Sequence, residues 1–211
     1  MNPGSTTRCK QLWRHHRTCW RGCRSKRFRI ALALLAALLH VGGTRSVSAQ
    51  NPSPNEYAVK AAFLFHFAQF VDWPDGTFRE TNSPLVYCTI GEDPFHGALE
   101  VSLVGKKMGA HSFQVRHARQ TEDIQGCHVL FIGESEKAIL PKLTATLKGN
   151  SILIVGESNR FVQDGGMIGF CFEENKIRFE INLESAEKAH LGISARLLAL
   201  AKSVIGGPKR G

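Results

Sequence analysis

Three Gly-Glu pairs, nine histidines and six cysteines are the groups in this 211-residue chain best suited to chemistry. Each Gly-Glu pair follows a short apolar run: residues 86–91, 129–133 and 152–156 lead into Glu92-Asp93, Glu134-Ser135 and Glu157-Ser158. Three carboxylates at neighbouring corners would suit a cation or acid-base work, although solvated loop charge accounts for them with less. A phosphate site needs backbone N–H groups bared by glycines and no competing negative charge. Here every corner has one glycine and a glutamate, so anion binding is opposed. Neither G-x-G-x-x-G nor G-x-x-x-x-G-K-[ST] is present. Ser135 and Ser158 stand outside any G-x-S-x-G elbow and read as helix caps, not nucleophiles. No catalytic residue is assigned.

The histidines after residue 49 are His66, His96, His111, His117, His128 and His190. No two are three or four apart, so none forms a helical ligand pair, and only His111 and His117 share a strand face. Cys9, Cys19 and Cys23, with His15 and His16 between them, fit no ordinary zinc spacing. No metal or cofactor is expected. Cys88, Cys127 and Cys171 include no C-x-x-C, which argues against a thiol oxidoreductase. Cys88 and Cys127 each lie in an apolar run, LVYCTI and CHVLFI, that reads as a buried strand. A bond between them closes a loop of about 40 residues, stabilises by roughly 4 kcal/mol on a chain-entropy estimate and leaves Cys171 unpaired. The other reading is three buried thiols acting as small hydrophobes.

Which cysteines count depends on where the chain matures. The net charge is +9, yet residues 1–49 hold ten basic and no acidic residues, leaving 17 Lys and Arg against 18 Asp and Glu in the remainder. The body is not basic, and no nucleic-acid partner is expected. A basic start, the apolar run 30–39 (IALALLAALL), Gly42-Gly43 and Val47-Ser48-Ala49 together read as a secretory signal peptide cleaved after Ala49. Ten helical residues reach about 15 Å, half a bilayer's hydrocarbon core, so they do not read as a permanent span. The basic segment also admits a DNA-binding or anionic-membrane arm. Export favours the disulfide reading. The expected organisation is a leader at 1–49, a linker at 50–54, one domain at 55–205 and a flexible tail at 206–211.

The elements that must position these groups start with a helix over residues 55–72, capped by Asn55 and ended by Trp73-Pro74. It is apolar nearly all round and so needs cover on more than one side. Its Phe63, Phe67 and Phe70 stripe faces either its own domain or another chain. The three apolar runs alternate with helical stretches at 94–103 and 136–147, which suggests parallel strands with helical crossovers. All three Gly-Glu corners then lie at the carboxyl edge of one sheet, where open α/β folds place their ligands. Residues 167–172 and 177–183 form a hairpin, and Ile193, Leu197, Leu200, Ala201 and Val204 form a helical stripe. The fold class is α/β: a three-layer domain with a mostly parallel central sheet, helices on both faces and a C-terminal β-hairpin plus helix.

The segments EYAVKAAFLFHFAQFVDWP, VYCTIGEDPF, CHVLFIGESE, SILIVGESNRFVQDGGMIGFCFEENKIRFEINLESA and LGISARLLALAKSV together resemble the YfiR family across residues 55–205. GGMIGF followed by RFEINL is the most specific part. The resemblance implies a periplasmic repressor, not an enzyme. It would bind the periplasmic sensor domain of a membrane diguanylate cyclase of the YfiN type, limiting cyclic di-GMP and biofilm formation. It also implies a homodimer and sequestration by an outer-membrane lipoprotein. The family's structural disulfide matches Cys88 and Cys127. A second, redox-responsive pair matches Cys171, but Asp164 stands near its partner's place, which leaves Cys171 single. The family's contact surface includes the hairpin, which puts Phe170 and Glu180 at the cyclase. Core packing of Phe170 and a pairing of Glu180 with Arg178 are the structural alternatives. A small-molecule-binding module with a pocket at the carboxyl edge is the competing function.

Overall fold

The computed structural model describes residues 54–207; the expected leader and residues 208–211 lie outside them. In order, the elements are α1 (Pro54–Gln69), β1 (Val71–Asp72), β2 (Leu85–Ile90), α2 (Ala98–Leu103), β3 (Lys107–Met108), β4 (His111–Ala118) and β5 (Val129–Ile132). Then come α3 (Leu140–Thr146), β6 (Leu153–Gly156), β7 (Ile168–Glu173), β8 (Lys176–Asn182), α4 (Leu183–Lys188), β9 (Gly192–Ile193), α5 (Ala195–Leu200) and β10 (Ser203–Ile205). Single 3-10 turns occupy Thr121–Ile124 and Glu134–Ile139.

Eight strands form the main sheet in the order β10-β8-β7-β6-β5-β2-β4-β3. The run from β7 to β4 is parallel throughout, and only the β7–β8 and β4–β3 junctions are antiparallel. Every residue of β2, β5 and β6 is buried, as central parallel strands covered on both faces require. On one face α1 sets Phe67 against Phe170 and Phe179, with ring centroids 5.6 and 5.0 Å apart. Tyr87 of β2 reaches the Leu64 carbonyl from the same side. On the other face, Phe161 lies so close to Gly156 and Gly166 that a Cβ at either would come within 2.1 Å of its ring. Leu140 and Leu143 of α3 and Ala186 of α4 are buried as well.

Several boundaries differ from the sequence expectation. α1 opens on Pro54, where the missing N–H costs nothing, so Asn55 lies inside the first turn instead of capping it. The helix stops at Gln69, because Val71 and Asp72 pair antiparallel with Ile193 and Gly192. The helical stripe at the end of the chain stops at Leu200; Val204 lies in β10, parallel to β8 and opposite Ile181. A helix at 203–205 would leave the outer side of β8 unpaired, and tertiary pairing overrides a spacing too short to decide. The long strand β4 is not among the elements expected, although the sequence allows His111 and His117 a shared strand face there. Its outer side pairs with β3 only at His111 and Ser112, leaving 113–118 without a neighbouring strand.

Cys88 and Cys127 are joined by a disulfide with Cα atoms 5.9 Å apart, and Cys171 is free. Among the described residues, no helix is long and apolar enough to cross a membrane.

Candidate functional site

The parallel register puts Ile90, Ile132 and Gly156 side by side, so the three Gly-Glu corners share the carboxyl edge of the sheet. Their carboxylates do not converge on one point. Glu157 turns inward. Its Oε1 accepts from the Tyr57 hydroxyl at 3.0 Å and from the Glu134 N–H at 3.2 Å, while its Oε2 lies 2.5 Å from Lys60 Nζ. Lys60 also pairs with Glu56, one helical turn earlier. The lysine side chain is 3% exposed and that of Glu157 is 9% exposed, so this is a buried ammonium held by two carboxylates. An ion pair out of water survives only with such complete satisfaction. Burial, followed by the Glu157 carboxylate, raises the Tyr57 phenol well above its ordinary range and keeps it protonated. At Gly91, with φ +80°, a Cβ would come within 2.6 Å of the Glu136 side chain, so only glycine fits there. Among the described residues no cluster could hold a metal ion.

Neither serine is a helix cap as expected: Ser135 lies inside the 3-10 turn Glu134–Ile139 and Ser158 is buried, 7% exposed, with no helix after it. Asp93 Oδ1 accepts from the Phe95 N–H at 3.0 Å in the turn before α2. His111 and His117 both lie on β4 but go to different partners: His111 Nδ1 to the Ser83 carbonyl and His117 Nε2 to Glu100.

The hairpin reaches past this edge. β7 pairs with β6 only at Ile168 and Gly169, so from Phe170 to Glu173 it pairs with β8 alone. α1 covers the start of the overhang. Phe170 is 5% exposed and packs on Phe63 and Phe67, the core position that is the alternative to its expected place at the cyclase, so it offers little direct contact area. Phe67 is fully buried, and Phe63 and Phe70 are partly buried against the same core. The stripe is therefore spent mainly within its own domain. Two residues beyond Phe170 on the same face, Phe172 is 57% exposed, with Lys60 Nζ 5.7 Å from its ring centroid.

Glu180 lies on the opposite face of the hairpin from Phe170, since the register pairs Gly169 with Glu180 and Phe170 with Phe179. It accepts from Ser203 Oγ at 3.0 Å. Arg178 goes to Glu173, its Nε 4.0 Å from the carboxylate, and not to Glu180 as the structural alternative had it. Cys171 shares that face, and burial, then the nearby Glu180, raises its thiol above the usual range. A raised thiol is a poor nucleophile.

Sequence reasoning missed Tyr57, Lys60 and Phe172. The Glu56–Lys60 spacing was a visible helical pair; its burial depends on Glu157, 97 residues from Lys60. What this end offers is an exposed aromatic on a projecting hairpin, braced by a rigid polar cluster. That arrangement suits binding a surface more than catalysing a reaction. Residues 57–202 match the YfiR/HmsC-like family, and the chain belongs to that family.

Proposed function

We propose that this protein is an exported, non-catalytic regulator that holds a membrane diguanylate cyclase inactive by binding its periplasmic sensor domain, lowering cyclic di-GMP and biofilm formation. Family membership supports the cyclase. The observation that carries the binding site is Phe172, exposed at the overhanging end of the hairpin beside the buried Lys60. An aromatic anchor ringed by polar groups is the usual make-up of a hot spot. Repression requires tighter binding to the inactive arrangement of the cyclase than to the active one. In this reading the protein acts as a homodimer, and an outer-membrane lipoprotein relieves repression by sequestering it. Glu180, on the other face of the hairpin, provides a second contact; Phe170 acts indirectly by seating the hairpin on α1.

Capture of the cyclase from solubilised membranes tests the reading. Phe172→Asp lowers capture about tenfold or more, equivalent to about 1.4 kcal/mol, and Glu180→Lys weakens it in the same direction. Unchanged capture by both variants removes the site.

A second reading rests on a groove of about 720 Å³ at the same edge, lined by Tyr57, Ala58, Phe95, Ala98 and Val101. Its apolar walls suit a small apolar ligand. A thermal-shift screen in which one compound stabilises the protein without any protein partner favours that reading.

A further inference from the structure

At the other end of the sheet, Phe78 of the 73–84 loop stacks on two imidazoles. Its ring centroid is 3.9 Å from His111 and 4.9 Å from His128, with planes inclined by 21° and 14°. Trp73 meets the group edge-on, 6.1 Å from His128. The two histidines are fastened differently. Val86 N–H donates to His128 Nδ1 at 3.1 Å, so that nitrogen presents a lone pair and the ring proton sits on the other, which faces the Thr77 carbonyl. The main chain repeats the link, with His128 N–H donating to the Val86 carbonyl at 2.8 Å. His111 Nδ1 lies 2.7 Å from the Ser83 carbonyl. A carbonyl only accepts, so His111 Nδ1 is the donor and keeps that bond whether or not the ring gains a second proton.

We propose that His128 is an acid-sensitive latch that holds the 73–84 loop over a cavity at the amino end of the sheet and releases it when Nδ1 takes up a proton. A proton on Nδ1 points at the Val86 N–H, donor against donor. Val86 is 8% exposed, so its N–H would be stranded without an acceptor. The cationic ring would also stand near the Arg116 guanidinium and the His111 imidazole of β4, both of which disfavour a charge on it. Burial holds the imidazole below the usual histidine range; His111 and Arg116 push the same way, against the Thr77 carbonyl. The latch is therefore closed above that range and opens as pH falls below it.

The two ends of the loop are fastened separately, by the His111 bond to the Ser83 carbonyl and by Trp73 Nε1, which donates to the Ala68 carbonyl at 3.1 Å, so release concerns the stretch between them. The contacts Thr77 N to the Pro74 carbonyl, Ser83 N to the Glu80 carbonyl and Glu80 N to Ser83 Oγ are internal to it. Beneath it lies a cavity of about 800 Å³, with Asp75, Thr77 and Arg79 on the loop side and Glu122, Cys127 and Asn150 across from them. Opening would expose this polar chamber and the buried edge of the disulfide without touching the carboxyl edge, so the latch does not depend on the identity of the partner.

Hydrogen exchange of the full chain at about pH 7.5 and about pH 5, either side of the ordinary histidine range and corrected for intrinsic rates, tests this. Residues 73–86 lose about tenfold or more of their protection at the lower pH. The loss is absent in His128→Asn, whose side-chain oxygen still accepts from Val86 N–H but takes no proton. No loss in the wild type, or an equal loss in His128→Asn, overturns the proposal. Wild-type NMR titration gives a check that needs no variant: the His128 ring and the 73–84 amides share one midpoint, and separate midpoints overturn it.

Discussion

Lys60 brings a full positive charge into the interior of α1, and Glu157, supplied from beyond β6, makes that tolerable. Removing the ammonium leaves two carboxylates facing each other out of water, a far worse state than the intact cluster. Lys60→Met therefore costs about 3 kcal/mol, while Glu157→Gln, which keeps the contact with Tyr57, costs less; urea unfolding of both variants measures the difference. His128 sets a pH dependence of the opposite kind to that of a paired carboxylate. The unfolded chain takes a proton near the ordinary histidine range of about 6.5, and the folded ring refuses it until lower pH. Stability is thus full above that range and declines as pH falls through it. Denaturant midpoints collected across pH show the decline, which is shallower in His128→Asn.

Among the elements, the strands buried on both faces were the most legible, because LVYCTI, VLFI and LIVG leave no polar side to misread. The hairpin was equally clear from its turn residues. β4 was hidden because HSFQVRHA alternates half-buried with exposed residues, and its polar half masked the pattern. β10 was hidden because Val204 falls on helical spacing from Leu197 and Leu200, and only the need of β8 for an outer neighbour decides otherwise. The site residues fared worse for the same reason: burial of Phe170 and exposure of Phe172 depend on how far α1 extends over the overhang, which no local pattern states. The disulfide ties β2 to the residues just before β5 across a separation of 39, enclosing α2, β3 and β4. Replacing both cysteines by alanine lowers stability by about 4 kcal/mol on the chain-entropy estimate, measured from denaturant midpoints with and without the bond.

At the scale of the whole molecule, the formal charge of +9 comes from the first 49 residues, which hold ten basic and no acidic side chains. Intact-mass analysis of the exported protein is expected to find a chain starting at Gln50, lighter by two hydrogens for one disulfide; an uncut and fully reduced chain would contradict export. Residues 50–211 carry almost no net charge, 17 Lys and Arg against 18 Asp and Glu, so little long-range repulsion keeps copies of that part apart. The bare flank of β4 then matters for colloidal behaviour. Its backbone is a template on which a neighbour's strand can crystallise, and the exposed Arg119 at its end is the local guard against that. Concentrated salt, which shortens electrostatic reach to about 3 Å at 1 M, would weaken that protection and make lateral stacking of copies along this flank easier.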